Sequence, residues 1–483
     1  MQSGILLPIF SLPSKYGIGS FGKEAFDFID FLSDSKQKIW QILPLNQTSI
    51  GDSPYQSPSA FAGNPYFIDL EALQKEHLIT RSELKSAEHP CDTVNYGALF
   101  FERYQLLEMA FARFLNNIPS DFDDFCKEER YWLDDYALFM AIKKSKGYVS
   151  RDEWGDLSLA KNKSKLYEKY FDQVEFWKFV QYEFSKQYAK VKAYANSKGI
   201  SIMGDMPIYV ALDSADVWAN KAEFCLDESG KPTDVAGVPP DYFSETGQLW
   251  GNPLYDWDRM KKNGYKWWKQ RLCAAFKMYD IVRIDHFRAF YNYYAIPYGS
   301  DTAMVGEWRM GPGIEFFNEM KRYFKKTPIV AEDLGDLDDG VREMLKLSGY
   351  PGMKVLQFAF ASDDNPYLPE NHIKNSIVYT GTHDNDTLCG WLASASEETL
   401  ARINEKIPHR KNQNLADAVI RAAHASIAET SIIPMQDYLG LGSEARMNTP
   451  STKNGNWQWR LPRGYAKKSL SSRIAKMMEK YNR

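Results

Sequence analysis

Cysteine is scarce in this 483-residue chain, and long apolar runs are missing. The five cysteines, at positions 91, 126, 225, 273 and 389, are an odd number, lie far apart and form no Cys-x-x-Cys pair. That pattern argues against a disulfide framework and against a zinc site. No apolar run approaches the roughly 20 residues that cross a bilayer, and residues 1–5 lack the basic region of a secretory signal. These absences predict a cytoplasmic protein with reduced thiols.

An excess of basic residues is also missing. The chain carries 59 Lys and Arg against 63 Asp and Glu, a net charge of −4. This balance argues against a nucleic-acid backbone or an anionic membrane as the main partner. Aromatic residues, in contrast, make up 14% of the chain. They either complete a well-packed core or line a groove that stacks on flat ligand faces such as sugar rings, and composition alone does not separate these alternatives.

Eight short apolar segments are typical of strands and have helical segments between them. The predicted strands cover residues 3–10, 38–45, 200–210, 281–284, 327–334, 354–360, 376–382 and 431–438. A chain that opens strand, helix, strand builds a parallel sheet, and eight such strands with intervening helices predict a (β/α)8 barrel, the TIM barrel. One of the predicted helices covers residues 20–34, with Ser20 as its N-terminal cap.

The barrel is predicted to be interrupted once. Residues 1–50 supply strands one and two, and residues 51–196 form an inserted, mainly helical subdomain because helical periodicity dominates from residue 71 onward. Residues 197–483 supply strands three to eight. A long loop, at about residues 238–257, follows strand three.

Residues 17–22 contain Gly-x-Gly-x-x-Gly between the first strand and the first helix, which is the pattern of a dinucleotide-binding turn. That fingerprint also needs an acidic residue near the end of the second strand, to hold a ribose hydroxyl. Here the second strand ends Leu-Pro-Leu-Asn at residues 43–46. We therefore interpret these glycines as a tight strand-to-helix turn and predict no nucleotide cofactor.

Acidic residues stand at the predicted carboxyl ends of four strands, the edge where barrel enzymes carry their sites. Asp205 ends strand three, Asp285 strand four and Glu332 strand five, and Asp384 follows strand seven. Any one of them could begin a turn or cap a helix, but four clustered carboxylates repel one another and are costly unless used. The set suits glycoside chemistry, in which one carboxylate attacks the anomeric carbon and a protonated partner gives its proton to the leaving oxygen.

Two basic residues accompany these acids. Arg283 lies two positions before Asp285, so both side chains share one face of the strand, and we expect Arg283 to keep Asp285 ionised and oriented. His383 immediately precedes Asp384. For this histidine a structural role and a hydroxyl-binding role are about equally favoured.

The sequence around these positions resembles that of a known family. RIDH at 283–286, AEDLG at 331–335 and THDN at 382–385 are similar, in that order, to the sequence blocks of the α-amylase clan, and GDMP at 204–207 resembles the preceding block. DSPYQS at 52–57, FAGNP at 61–65, GVPPDYF at 237–243, WGNPLY at 250–255, PGMKVLQF at 351–358 and RMNTP at 446–450 narrow the resemblance to the amylomaltases, the 4-α-glucanotransferase family. The matches extend over essentially the whole chain.

The resemblance implies a role for each matching residue. Asp285 would be the nucleophile that forms a covalent glucosyl-enzyme, Glu332 the general acid and then the base, and Asp384 the residue that stabilises the transition state. No metal or organic cofactor is implied. The expected substrate contacts are Tyr55, Asp205, Trp250, Arg283, His286, His383 and Asn448.

The activity that the resemblance implies is transfer. An α-1,4 bond in maltodextrin or glycogen would be cut, and the fragment would be joined to the 4-hydroxyl of glucose or of another glucan. Residues 238–257 would cover the groove and limit water, although an ordinary connecting loop is the alternative. Two other functions are possible: a hydrolase of the α-amylase type, which would share the glycosyl-enzyme, and an inactive glucan-binding barrel, which would require loss of one of the three acids.

Overall fold

Eight parallel strands form the centre of the computed structural model, which describes residues 1–49, 51–240, 244–335, 337–410, 412–452 and 454–483. In chain order they are β1 Gln2–Leu6, β2 Ile39–Gln41, β3 Ser201–Met206, β4 Ile281–Ile284, β5 Ile329–Ala331, β6 Gly352–Val355, β7 Ser376–Tyr379 and β8 Thr430–Pro434. Each overlaps one of the eight predicted strands.

The eight strands close into a barrel. They pair in the order β6-β7-β8-β1-β2-β3-β4-β5, and every neighbouring pair is parallel. The two ends of that order meet through hydrogen bonds: the Ala331 N–H donates to the Pro351 carbonyl at 3.0 Å, and the Met353 N–H donates to Oδ1 of Asp333 at 2.5 Å. The predicted (β/α)8 architecture is confirmed.

Several local predictions were wrong, mainly at the ends of strands. The predicted strands at 3–10, 38–45, 200–210 and 327–334 are too long, and the first of them ends at Leu6, before a 3-10 helix at Ile9–Ser11. The predicted strand at 354–360 is placed too late, because β6 begins at Gly352 and residues Leu356–Ala361 form a 3-10 helix. The predicted strand at 431–438 is too long, since Met435–Leu439 is helical. Short apolar runs of this kind do not distinguish a strand from a buried helical turn. Ser20 caps no helix: the first helix is preceded by Gly22, and the Ser20 hydroxyl donates to Asp69 at 3.5 Å.

Helices follow most of the strands. After β1 comes Lys23–Asp34; after β3, Ala215–Ala219, Trp257–Lys262 and Lys266–Met278; after β4, Gly313–Tyr323; and after β5, Asp339–Ser348. After β7 come Leu388–Ser394, Glu397–Lys406 and Leu415–Ala425, and after β8, Met435–Leu439 and Lys468–Tyr481. Within the described residues, the connection from β6 to β7 contains only the 3-10 helices Leu356–Ala361 and Pro369–Asn371.

The predicted helical insertion between β2 and β3 is confirmed. Its α-helices are Leu70–Lys75, Arg81–Ser86, Tyr96–Phe114, Ser120–Glu128, Arg130–Ser145, Lys163–Lys169 and Phe171–Ser197. The last and longest contacts both parts of the molecule, with Phe179 against Phe114 of the insertion at 4.7 Å and Phe184 against Phe21 at 5.1 Å. A single hydrophobic core therefore continues from the barrel into the insertion. In the part of the chain that the structure describes, no helix is long and apolar enough to cross a bilayer.

A four-stranded antiparallel sheet lies beside the barrel. Its strands pair in the order Gln248–Pro253, Asp234–Val238, Asn292–Pro297 and Glu307–Met310. The first two strands belong to the long connection after β3 and the last two to the connection after β4. The loop predicted at 238–257 thus contains the whole strand Gln248–Pro253, and its last residue, Trp257, begins a helix. Its residues 241–243 lie outside the described residues.

Candidate active site

Arg283 of β4 joins two carboxylates at the carboxyl end of the barrel. Its Nη1 lies 2.7 Å from both carboxylate oxygens of Asp205, in β3, and 3.0 Å from Oδ1 of Asp285. Asp205 and Arg283 are only 1% and 2% exposed. Burial lowers the pKa of Arg283, but Asp205, Asp285 and more weakly Tyr55 and Glu332 together raise it well above its ordinary value, so the guanidinium stays charged. Arg283 thus binds Asp205 more closely than Asp285, the partner predicted from the sequence.

Asp285 is the first residue after β4, and its backbone N–H donates to the Met206 carbonyl at 3.0 Å. Its side chain keeps 30% of its surface exposed. Burial raises the pKa of Asp285 to about 6, while Arg283 lowers it and the charges of Asp205 and Asp384 raise it. Arg283 therefore favours the ionised form, as predicted, but burial outweighs it. At neutral pH Asp285 is mainly a carboxylate.

Glu332 is the first residue after β5, and two backbone amides hold its carboxyl group. Oε2 accepts from the His286 N–H at 2.7 Å, and Oε1 accepts from the Leu334 N–H at 3.0 Å. Burial and then the charge of Asp285 raise the pKa of Glu332 to about 8, against the lowering effects of Arg283 and the two amides. At neutral pH Glu332 therefore carries a proton while Asp285 does not.

His286 contributes its backbone N–H to Glu332 and packs its ring against Trp250. It adopts the left-handed conformation with φ of 52°, which is uncommon for a residue with a side chain, and in this conformation its N–H reaches Glu332. The His286 ring packs edge-on against the Trp250 ring, with centroids 4.8 Å apart. Burial, and then the nearby Arg288, lower the pKa of His286 to about 3, so the imidazole is neutral.

Tyr55, in the connection after β2, bridges the ends of two other strands. Its hydroxyl donates to Oδ2 of Asp205 at 2.8 Å and lies 2.8 Å from Nε2 of His383. With its single proton given to Asp205, the hydroxyl oxygen accepts from the Nε2–H of His383. The two rings stack with centroids 5.4 Å apart, and Nε2 also lies 3.3 Å from Oδ2 of Asp384. Burial raises the pKa of Tyr55 well above its ordinary value, so the hydroxyl keeps its proton.

Asp384 is held from its other side by the segment after β8. Nδ2 of Asn448 donates to Oδ1 of Asp384 at 2.6 Å, so Asn448 contacts a site carboxylate. Arg446 donates to the backbone carbonyls of both Asp384 and Asn448 at 2.9 Å. Arg446 was not predicted, and neither was Trp457, whose ring packs against Tyr55 at 5.7 Å. Both residues lie in a segment without strand or helix periodicity. The motif at 446–450 was the sequence feature that could have marked this segment as part of the site.

The structure brings all ten predicted site residues together in two contact groups. The groups adjoin because Asp285 and His286 are neighbours in the chain. One group runs from Asp285 through Arg283, Asp205, Tyr55, His383 and Asp384 to Asn448, and the other consists of Trp250, His286 and Glu332.

The arrangement offers an ionised carboxylate beside a carboxylic acid, with a third carboxylate close by. Such a set can attack an anomeric carbon and protonate the leaving oxygen. Over the residues that the structure describes, no group of three or more His, Cys, Asp or Glu is placed to hold a metal ion. What these side chains can supply themselves is acid–base and nucleophilic chemistry.

Comparisons with known proteins identify the family of this chain. A family model described as 4-alpha-glucanotransferase matches residues 7–466. The 4-alpha-glucanotransferase of Clostridium butyricum is 47% identical, over 98% of this chain and 99% of its own length, and that of Thermus thermophilus is 43% identical, over 99% and 98%. An amylomaltase from Streptococcus agalactiae, solved in complex with acarbose, has a TM-score of 0.97 at 40% identity and covers 100% of this chain and 99% of its own. The chain belongs to the 4-alpha-glucanotransferase family.

Proposed function

We propose that this chain is a 4-α-glucanotransferase that cuts an α-1,4 bond in maltodextrin or glycogen and joins the fragment to the 4-hydroxyl of glucose or of another glucan. The observation that carries the proposal is the pair of carboxyl groups at adjacent strand ends, Asp285 ionised and Glu332 protonated at neutral pH. Membership of the family over nearly the whole chain supports the same activity.

In the first half of the proposed reaction, Asp285 attacks the anomeric carbon of the donor sugar. The bond from this carbon to the leaving O4 breaks, and Glu332 gives its proton to that oxygen. Arg283 binds Oδ1 of Asp285 at 3.0 Å, which leaves Oδ2 for the attack. The donor fragment becomes an ester of Asp285, and the remainder of the glucan departs with a free 4-hydroxyl.

In the second half, Glu332 acts as a base. As a carboxylate it takes the proton of an acceptor 4-hydroxyl while the acceptor oxygen attacks the anomeric carbon and the ester to Asp285 breaks. Two inversions restore the α configuration. The amides of His286 and Leu334 favour the ionised glutamate, because each donates a hydrogen bond to one of its oxygens.

The other site residues would bind the sugars. Asp384 and His383 lie side by side at the end of β7 and would hold hydroxyls of the sugar whose anomeric carbon reacts. Asn448 keeps the Asp384 carboxylate oriented. The Trp250 ring, beside His286, would stack on a glucan, and the segment 238–257 would limit access of water so that an acceptor sugar wins the second step.

The five cysteines are the basis for the proposed cellular compartment. All five are free, in keeping with a reducing compartment, and we propose that the enzyme acts in the cytoplasm. Its partners would be maltooligosaccharides and α-1,4-glucans as donors, and glucose or glucans as acceptors. The net charge of −4 supports neither a nucleic acid nor a membrane as a further partner.

Incubation with maltotriose alone tests the proposal. Transfer produces free glucose together with a ladder of longer maltodextrins. New reducing ends without longer products would instead identify a hydrolase, and no products at all an inactive binding protein. Asp285→Asn should lower the transfer rate by about 10³-fold or more, because the nucleophile is lost. Asp339→Asn, at a fully exposed carboxylate, is the control, and a rate for Asp285→Asn within tenfold of wild type would contradict the role of Asp285.

A further inference from the structure

The loop that carries Tyr55 is held from behind by a buried glutamine of the helical insertion. Gln181, on helix Phe171–Ser197, is 1% exposed. Its side-chain amide pairs with both backbone groups of Gly63: Oε1 accepts from the Gly63 N–H at 2.8 Å, and Nε2 donates to the Gly63 carbonyl at 2.9 Å. A two-point contact of this kind fixes both the position and the orientation of a peptide.

A buried carboxylate holds the same segment from a second direction. Asp216, on the short helix after β3, is 3% exposed, and its Oδ2 accepts from the Ala60 N–H at 2.7 Å. The neighbouring Ala215 N–H donates to the Pro58 carbonyl at 2.8 Å. Residues 58–63 are therefore tied both to the helical insertion and to the connection after β3.

Packing removes the remaining freedom of this segment. A Cβ atom at Gly63 would lie 2.2 Å from the ring of Phe184, which belongs to the same helix as Gln181. The backbone at Gly63 thus lies directly against an aromatic ring and has no room to move inward. Movement outward would break both bonds between Gly63 and the buried amide of Gln181, which would keep only a 3.4 Å bond to the Tyr136 hydroxyl, and this loss is unfavourable.

Tyr55 depends on this precision because it contacts groups that belong to other strands. Its hydroxyl must lie 2.8 Å from both Asp205, in β3, and His383, after β7. A displacement of about 1 Å would take both contacts beyond hydrogen-bonding distance. The segment 58–63 begins only three residues after Tyr55, so its position limits where the hydroxyl can lie.

We propose that Gln181, from the helical insertion, and Asp216, from the connection after β3, are positioning residues for Tyr55, so that the insertion acts on the reaction through Gln181. They fix the backbone of residues 58–63, and this places the Tyr55 hydroxyl between Asp205 and His383. The inference rests on the proposed function because its first test measures the rate of glucan transfer.

A double-mutant cycle between Gln181 and Tyr55 tests the inference. Gln181→Leu removes both bonds to Gly63, and Tyr55→Phe removes the hydroxyl and keeps the ring. With maltotriose as substrate, we expect Gln181→Leu to lower kcat/KM by about tenfold in the wild-type background and by less than twofold in the Tyr55→Phe background, since the hydroxyl contacts are already absent there. Equal factors in the two backgrounds would overturn the proposal.

Gln187 provides the matched control for a merely structural effect. It lies on the same helix, is 3% exposed, and its Oε1 accepts from the Asp69 N–H at 2.7 Å. Gln187→Leu should lower the thermal midpoint of unfolding about as much as Gln181→Leu does, yet leave kcat/KM within twofold. A similar loss of kcat/KM in both variants would mean that general destabilisation explains the effect, and the proposal would be wrong.

Asp216 gives a second route that does not depend on the folding of the Gln181 variant. Asp216→Asn retains an oxygen that accepts from Ala60, whereas Asp216→Ala removes it. We expect the asparagine variant to keep most of the wild-type kcat/KM and the alanine variant to lose about tenfold, and equal losses would contradict the proposal. If the wild-type protein shows no transfer, the proposed function fails. The Gln181–Tyr55 double-mutant cycle can then be measured by calorimetry as the affinity for maltotriose. Additive effects of the two substitutions on this affinity would overturn the inference independently of the proposed function.

Discussion

Replacement of Arg283 by methionine would leave two carboxylates without the cation they share. Nη1 of Arg283 lies 2.7 Å from both oxygens of Asp205 and 3.0 Å from Asp285, at a position that is 2% exposed. Methionine fills much of the space but offers neither charge nor donor. Removal of one partner from a buried ion pair costs about 3–5 kcal/mol, because the remaining charge is uncompensated. We expect the upper part of this range at neutral pH, since two carboxylates lose their partner.

The loss of stability should depend on pH with a definite sign. In the variant, the pKa of Asp285 should rise further above about 6, because burial still raises it and Arg283 no longer lowers it. The pKa of an unfolded aspartate is about 3.9, so the folded variant holds this proton more tightly. Such a group destabilises the fold by its full penalty above its folded pKa. The penalty shrinks as the pH falls below that value and is gone below the unfolded pKa of about 3.9. The free-energy difference between variant and wild type should therefore be larger at pH 8 than at pH 5.

Urea denaturation at pH 5, 6.5 and 8, followed by tryptophan fluorescence, measures this difference. Arg342→Met is the control, because the ion pair of Arg342 with Asp339 is exposed, with 61% and 102% of the two side chains accessible. We expect the control to lose no more than about 1 kcal/mol at any of the three pH values. A loss below about 1 kcal/mol for the Arg283 variant, or an equal loss at pH 5 and pH 8, would refute the reasoning.

Three further predictions concern catalysis. The kcat/KM for transfer should rise through about pH 6, as Asp285 loses its proton, and fall through about pH 8, as Glu332 loses its proton. A profile that still rises at pH 9 would contradict the roles of Asp285 as nucleophile and Glu332 as general acid. Asn448→Ala removes the 2.6 Å hydrogen bond to the carboxylate of Asp384. A hydrogen bond to a charged group contributes about 1.5–3 kcal/mol, so kcat should fall at least tenfold. A change of less than twofold in single-turnover kinetics would disprove this. Trp250→Ala should raise the KM for a glucose acceptor about tenfold and Trp250→Phe only slightly, because a phenyl ring still stacks on a sugar, and equal KM values for the two variants would argue against stacking.

The barrel was predictable because its strands are local features. Each is a short apolar run bounded by turn residues, as in β4, where Ile281–Ile284 lies between Asp280 and Asp285. The parallel order follows from the alternation of strands and helices. The boundaries of β6 and β8 were wrong because apolar character continues past the strands into a 3-10 helix and an α-helix, where neighbouring elements decide the conformation.

The four-stranded sheet was not predictable in this way. It pairs Asp234–Val238 with Asn292–Pro297, two segments that are separated in the chain by the whole of β4 and the helix before it. Neither segment shows strict alternation, and the hairpin strand Gln248–Pro253 contains a glycine with φ of 76° and ends in proline. Such strands form because a partner from another loop lies beside them, and that proximity exists only in the folded chain.

The sequence by itself placed Asp205, Arg283, Asp285, Glu332 and Asp384 at the carboxyl ends of predicted strands, because each strand is a local pattern and strands that alternate with helices are parallel. Tyr55, Trp250 and Asn448 were expected only from the resemblance to a family. Only the tertiary structure decided what these residues do to one another. It placed Arg283 closer to Asp205 than to Asp285, and it directed the amide of Asn448 to the carboxylate of Asp384.

The protonation states and the position of Tyr55 were likewise decided by the fold. The pKa of Glu332 is raised by burial and by a charge on the neighbouring strand, and Tyr55 is placed by contacts of residues 58–63 with Gln181 and Asp216. Each of these effects depends on solvent exclusion and on distances between segments far apart in the chain. Local sequence carries neither quantity, since both arise only when the strands and the helical insertion pack together.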